Sequence, residues 1–564
     1  MKLLKEPGIT VQTSSYRLQI LDGQFHALVW SSDGDLLADI FLLSSCHQDG
    51  GRDVSGWVSG WEVVEEPGCI ILRIKADSSV WEEKICSLTL LEDRIAYSVT
   101  VHGHGRLQDV ELLSGYYTGS VKRWGNARFY SKFHADSLFN PEPGSDECYS
   151  VSPRERALID LTGVPIAGRD HWFFTPPPFC FVLRKGEQCM SLGVTARPGK
   201  YTFTEYEYTG GPGQGLILRY EGYTIADGEY RLPEVQMIFG RDEFALLAEF
   251  SKIGRIASVP VSRPAWWSQP IVCGWGEQCA QTRKEEKPAP ALATQAFYED
   301  LSSSLEERGL CPGILIIDDK WQASYGLNNV DVIKWPDMKD FIRRMHGKGR
   351  RVLLWLKAWD PEGVENKLCI RDYRGAPQAV DPENPDYRHL MEKAIFQLLS
   401  REGLDADGFK IDFTARIPSS PGCVSYGSSW GLELMRAYLS LVYDSAKGAK
   451  EEALVMCHCP HPYLEDKIDM IRLNDVNTAR PVLAQMTHRA RLVKAIMPNV
   501  LIDTDNWPMP NKKAWLDYVA LQPELGVPSL YYLRSMDNSD EPITDADLQV
   551  VRESWNKWEA KIHG

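Results

Sequence analysis

Nowhere in the 564 residues does an apolar run approach the ~20 residues a membrane-spanning helix needs. The amino terminus, Met1-Lys2-Leu3-Leu4-Lys5-Glu6-Pro7-Gly8, carries no apolar stretch of signal-peptide length. The sequence therefore reads as cytoplasmic, with no membrane partner. Basic residues are in deficit: 62 Lys and Arg face 77 Asp and Glu, for a formal net charge of -15 and a pI near 5.4. That balance argues against a nucleic-acid partner, which would need a basic patch. Cysteines show no pairing pattern: there are 13, odd in number and scattered, as in a reducing compartment. No Gly-x-Gly-x-x-Gly follows an apolar strand, which disfavours a dinucleotide fold. Low-complexity tracts and long repeats are also missing.

What is present is apolar substance for large cores, with 43% hydrophobic residues and 18 Trp, 23 Tyr and 18 Phe. The length predicts more than one domain. Residues 1–257 read as a β domain. Short alternating runs such as Phe25–Trp30, Cys69–Ile74, Arg94–Val101, Phe179–Leu183 and Gly215–Tyr220 are punctuated by Asp22-Gly23, Asp33-Gly34 and Gly210-Gly211-Pro212-Gly213. This pattern predicts an antiparallel β-sandwich, with one helix near Glu243–Ile253. Ser258–Pro264 reads as a linker. Over residues 258–564 the rhythm changes to apolar runs alternating with amphipathic stretches, the mark of βα units. Eight strands are expected near Ile271–Trp275, Ile314–Asp318, Val352–Leu356, Gly408–Asp412, Ala453–Cys457, Met470–Asn474, Val500–Asp503 and Ser529–Leu533. Helices are expected at Ala291–Arg308, Met338–Lys348, Tyr387–Ser400, Gly431–Ala446 and Arg480–Met497, and the charged run Arg283–Lys287 reads as solvated loop. The fold class is thus multidomain: a β-sandwich followed by a (β/α)8 TIM barrel.

Gly408-Phe409-Lys410-Ile411-Asp412-Phe413 is the most informative stretch. Strand alternation puts Lys410 and Asp412 on one face and the apolar residues on the other. Charge inside a barrel is costly unless paired or used, and barrel enzymes place their chemistry at the C-terminal strand ends. Read at those ends, the chain offers Trp275 and Glu277, Asp318, Asp319 and Trp321, Trp355 and Lys357, Lys410 and Asp412, Cys457 and His458, Arg472 and Asp475, then Asp503 and Asp505. Tryptophan faces cover the C–H faces of a sugar ring, and carboxylates accept from its hydroxyls. Cleaving a glycoside with retention needs two carboxyl groups, and Asp412 and Asp475 on separate strands can supply them, with Lys410 keeping Asp412 ionised. Other readings stand beside these. Asp318 and Asp319 could cap a helix or hold a cation. Cys457-x-Cys459-x-His461 has metal-like residue types without a common zinc spacing. His458 reads as a pocket hydrogen-bonding residue rather than a base. Arg472 and Asp475 could be a structural ion pair, and Asp503 with Asp505 loop structure or pocket rim.

At these residues the chain resembles the melibiase-like α-galactosidases of glycoside hydrolase family thirty-six, in the retaining α-glycosidase clan. Ile317-Asp318-Asp319 with Trp321 is similar to a motif that holds galactose hydroxyls. Trp335-Pro336-Asp337-Met338, His346-x-x-Gly349 and Leu354-Trp355 resemble the approach to a pocket tryptophan. Lys410-Ile411-Asp412 resembles the nucleophile motif, with Lys410 touching substrate. Cys457 falls at a pocket cysteine, and Arg472 with Asp475 resembles the family's arginine and acid/base. The interval from Arg472 to Asp475 is one residue shorter than the family's. The resemblance implies a retaining, exo-acting α-glycoside hydrolase that takes a small carbohydrate and needs no cofactor and no metal. Homo-oligomerisation is left open. Lys320, Lys357 and His458 depart from the pattern and would suit an α-glycosidase or transglycosylase for a modified or acidic sugar. A catalytically inactive sugar-binding barrel is the rival from another class.

Overall fold

The computed structural model describes residues 1–5, 8–23, 25–119, 127–141, 149–161, 176–256, 263–418, 422–473 and 475–563, with only the backbone of 283 and 285. The expected linker and the division at 257 fall largely outside the described residues. Among the described residues, the amino-terminal half is built of antiparallel sheets, one of six strands, one of fourteen and one of two. Alternation is plain in strand Glu83–Leu90, where half-buried and buried residues take turns. A helix, Glu243–Gly254, closes this region and is capped by Asp242, whose side chain accepts from the Ala245 amide.

Eight parallel strands follow: Ile271–Cys273, Ile314–Ile317, Arg351–Lys357, Gly408–Asp412, Leu454–Cys457, Met470–Arg472, Leu501–Asp503 and Ser529–Leu530. They run in order around the sheet, with the eighth beside the first. Between the seventh and eighth, Val527 donates to the Ile502 carbonyl at 2.7 Å and Thr504 to the Val527 carbonyl at 3.1 Å, so the barrel is closed. The second, fourth and fifth strands are buried along their whole length, as a parallel sheet covered by helices requires. The sequence thus folds as expected: sandwich first, barrel second.

The differences lie at strand ends and have local causes. The first strand stops at Cys273, and Trp275–Glu285 is a helix that absorbs Trp275, Glu277 and the start of the charged run read as loop. Glycines permit this. A Cβ on Gly274 would meet the Tyr298 hydroxyl at 2.1 Å, and one on Gly276 the Tyr531 carbonyl at 2.2 Å. The eighth strand ends at Leu530 because its next amides turn to side chains: Tyr531 donates to Asn506 at 2.9 Å and Leu533 to Glu277 at 2.5 Å. Phe413 does not continue the fourth strand's outer face; with φ of 59° it turns off and packs edge-on to Trp355. The helix expected from Ala291 starts at Gln295, capped by Thr294, and the one expected from Arg480 starts at Val482, after Pro481. Helices Lys512–Leu525 and Asp545–His563 were not anticipated.

The two halves are held together by specific contacts. Tyr201 donates its amide to Glu433 at 2.9 Å, and Tyr463 its hydroxyl to the same carboxylate at 2.9 Å. Trp430 stacks on Tyr223 at 3.6 Å. Gly431 opens the barrel helix Gly431–Ala449 with φ of 56°, and a Cβ there would lie 2.1 Å from the Phe203 carbonyl. Gly431→Ala should therefore cost roughly 2–4 kcal/mol through strain and overlap. Gly448, in the same helix with nothing near its Cβ position, should gain up to about 1 kcal/mol as alanine. Thermal denaturation of both variants checks the contrast; equal effects would refute the close contact.

Candidate active site

The C-terminal ends of the strands converge on two buried cations. Lys410, from the fourth strand, reaches Asp318 at the end of the second, with Nζ 2.7 Å from Oδ2. The Cys273 thiol donates to the same oxygen at 2.9 Å, and the Asp318 amide donates to the Tyr298 hydroxyl at 2.7 Å. Burial works against the ammonium, but the charge of Asp318 outweighs it and raises the Lys410 pKa. The sequence reading had Lys410 keeping Asp412 ionised; its ion pair is with Asp318, and its charge adds to that of Arg472 in lowering the Asp412 pKa.

Asp412 is served instead by Arg472, whose Nη2 donates to Oδ1 at 2.9 Å. The Phe413 amide donates to Oδ1 at 2.9 Å and the Trp355 indole to Oδ2 at 3.1 Å. Burial opposes ionisation, yet Arg472 foremost, with His458 and Lys410, holds this carboxyl down to about 2. His458 is fully buried, which pushes its own pKa down to about 3, so at neutral pH it is uncharged and the two cations carry the effect. Its Nε2 lies 3.0 Å from the Thr414 hydroxyl and 3.5 Å from Asp412 Oδ1, the place of a hydrogen-bonding residue.

The second terminal nitrogen of Arg472 contacts Asp505 at 2.9 Å and approaches Asp475 at 3.8 Å. Asp412 and Asp475 thus sit on the two arms of one guanidinium. Their side chains keep 12% and 17% exposure, while those of Asp503 and Asp505 are buried. The latter pair is not pocket rim. Ser529 donates its hydroxyl to Asp503, and Asp503 accepts the Asp505 amide at 3.0 Å. Burial, then the neighbouring Asp505 charge, pushes Asp503 up to about 6; burial raises Asp505 too, against Arg472 and Lys410.

Toward the mouth, Tyr325 donates to Asp319 at 2.6 Å, and burial with the nearby carboxylates pushes Asp319 up to about 6. Lys320 and Lys357 lie over the Tyr325 ring at 3.6 and 4.3 Å. Each has a carboxylate partner, Glu362 for Lys320 and Asp360, at 2.7 Å, for Lys357. The helix-capping reading of Asp318 and Asp319 falls, because the chain enters a short hairpin, Gln322–Ser324 with Asn329–Val330, and the next helix is capped by Asp337.

Some predicted residues stand back from this cluster. Trp321 is fully buried and donates to the Trp355 carbonyl at 2.8 Å, so it backs Trp355. Cys457 is fully buried at the end of the fifth strand. Trp275 is half-buried and packs edge-on to Trp507 at 5.8 Å. Glu277 holds the chain after the eighth strand by accepting from Leu533 and Arg534. His461 turns to the sandwich, where its ring meets Phe179 at 4.7 Å. Sequence reasoning missed Cys273, Tyr298, Tyr325 and Thr414. Cys273 sits at a strand end and could have been found by the same rule; the others reach the site from a helix and loops.

No protein-family model matches the chain, and no curated protein matches it in sequence. Solved structures do match. The α-galactosidase of Thermus thermophilus, solved with stachyose, is similar with a TM-score of 0.52 at 14% identity, over 88% of this chain and 99% of that one. The α-galactosidase of Lactobacillus brevis gives 0.54 at 11% identity, over 98% and 83%. A soil-metagenome α-xylosidase of family GH31, solved with xylose, gives 0.53 at 11% identity, over 99% and 83%. The chain has the fold of these glycosidases, and the resemblance drawn from its motifs holds at that level.

The raised carboxyl of Asp503 makes a testable statement about stability. An acid whose pKa is higher folded than unfolded lends stability that is full below the unfolded value, ~3.9, and lost as pH rises through the folded one. Asp503→Asn removes that loss. Relative to wild type, the variant should gain on the order of 1–3 kcal/mol between about pH 4 and 6 and then level off. Denaturation midpoints across that range check it; a pH-independent difference would be against it.

Proposed function

We propose that the chain is a retaining, exo-acting α-glycoside hydrolase of the α-galactosidase type. The observation carrying this reading is the placing of Asp412 and Asp475 on the two arms of Arg472, one carboxylate held ionised and the other at the mouth. In this reading an Asp412 oxygen attacks the anomeric carbon as the glycosidic bond breaks, and Asp475 gives its proton to the leaving oxygen. Asp475 then takes a proton from water, whose oxygen displaces Asp412. Carboxylates outnumber the buried cations around this point, a field that favours an oxocarbenium-like transition state. Asp318 and Asp319 accept from sugar hydroxyls, and Trp355 lines the ring's path. The low exposure of both carboxyls supports a blind pocket and hence exo action. The carboxylate partners of Lys320 and Lys357 support a neutral sugar over an acidic one. Relatives of this fold are described as acting on or binding α-galactosides and xylose, so a panel of nitrophenyl α-glycosides decides the sugar. Proton NMR of the first-formed anomer tests retention; a β product would sink it.

Asp412→Ala should cut turnover by roughly a thousandfold or more while the fold persists. Azide should restore rate and yield a β-glycosyl azide. Near-wild-type turnover without azide would remove Asp412 from this role.

Asp475→Ala should cripple glycosides with poor leaving groups and spare the first step with activated aryl glycosides. Covalent intermediate should then accumulate, with azide accelerating turnover. If that leaving-group dependence follows Asp505→Ala instead, the acid/base belongs to the seventh strand.

A further inference from the structure

Outside the barrel, the sandwich carries an open concavity of about 850 Å³ built wholly from amino-terminal residues. Its floor is a run of antiparallel strands: Cys69–Ala76, Glu83–Leu90, the first part of Arg94–Leu112, and Ile225–Arg231. One set of alternating residues, including Leu72, Ile74, Leu88 and Val99, is buried in the core. The opposite set faces the concavity, and its register is ordered. One row across the sheet reads Arg73, Ser87, Ser98, and the next Lys75, Ile85, Thr100, Arg231. Hydroxyls, with Ile85 among them, occupy the central strands and cations the outer ones. Lys75 and Arg231 are three strand spacings apart, roughly 14 Å at the backbone.

The charge of this floor runs against that of the molecule. Arg73, Lys75, Arg197 and Arg231 line it against Glu62 and Glu229, in a chain of formal net charge -15. Lys75 pairs with Glu83 at 2.9 Å and Arg231 with Glu234. Arg73 and Arg197 have no ion-pair or hydrogen-bond partner for their side chains among the described residues. Trp61, half-buried, stands in the wall beside Ser59 and offers an indole to an apolar face. Cations at fixed spacing, a hydroxyl-lined floor and an aromatic wall are what a carboxylated sugar chain needs: its carboxylates pair with guanidinium groups, its hydroxyls exchange hydrogen bonds with Ser and Thr, and its C–H faces cover indole.

We propose that this concavity binds an acidic oligosaccharide, a uronate-containing chain, independently of the barrel's pocket. Calorimetric titration of the full chain with a short oligogalacturonate tests it, with a neutral oligosaccharide of equal length as control. The uronate should bind saturably and more tightly than the control, and salt should weaken it. Arg73→Ala and Arg231→Ala should each weaken binding about tenfold, while hydrolysis of a nitrophenyl α-glycoside by both variants stays at the wild-type rate and Asp412→Ala binds as wild type. No saturable binding, equal binding of the neutral chain, or unchanged affinity in both arginine variants would overturn the proposal. So would sedimentation showing that wild type is a dimer that these variants dissociate, because the face would then be a subunit contact.

Discussion

Arg472 is the constraint on which the barrel mouth depends. Its guanidinium is buried and takes carboxylates from the end of the fourth strand and from just beyond the seventh at 2.9 Å each, with Asp475, three residues on from it, at 3.8 Å. A buried charge of this kind is tolerable only when paired and hydrogen-bonded, and removing one partner would strand the other. The arginine therefore fixes where Asp412, Asp475 and Asp505 stand relative to one another. Lys410 does the same across the barrel with Asp318, so two cations tie the second, fourth, sixth and seventh strands at one level. The two cations do not neutralise the carboxylates gathered there; burial foremost raises the pKa values of Asp319, Asp503 and Asp505, and neighbouring carboxylates add to the rise at Asp319 and Asp503. Asp412 alone of these is driven down, because Arg472, the Trp355 indole and a backbone amide all converge on it.

Backbone strain is spent at the same level. Trp359, Phe413, Asp475 and Asp505 all adopt positive φ, between 31° and 67°. Each follows a barrel strand and turns a side chain away from the course the strand would give it. Residues of this kind rarely occupy that region unless surrounding contacts hold them, and such strain gathers where geometry serves a site. The sandwich contributes to the holding: Tyr223 stacks on Trp430, and its hydroxyl oxygen accepts from the Cys423 amide at 2.7 Å, gripping the chain between the fourth strand and its helix.

Much of the fold was legible because its signals are local. Period-two runs with Gly-rich turns marked the sandwich, and apolar runs alternating with amphipathic stretches marked eight βα units. The misjudged ends were set by distant partners. Trp275 favours a strand by composition, yet close packing on Tyr298 and Tyr531 lets a helix start there. Tyr531 and Leu533 read as strand, but their amides are taken by Asn506 and Glu277. The site was legible as a list, since charged residues at the ends of apolar runs stand out. Its wiring was not. Lys410 and Asp412 are neighbours in sequence, and nothing local says that the lysine serves Asp318 and that an arginine sixty residues on serves Asp412.

The sequence by itself therefore determined the order of architectures and the strand ends where carboxylates, cations and tryptophans would gather, because alternation, turn chemistry and the cost of buried charge act over a few residues. Only the tertiary structure decided which cation meets which carboxylate, which tryptophan donates to Asp412 and which stands behind it, and that a row of cations and hydroxyls lines one face of the sandwich. Those outcomes depend on strand register and barrel closure, which join residues far apart in the chain through contacts that no local pattern encodes.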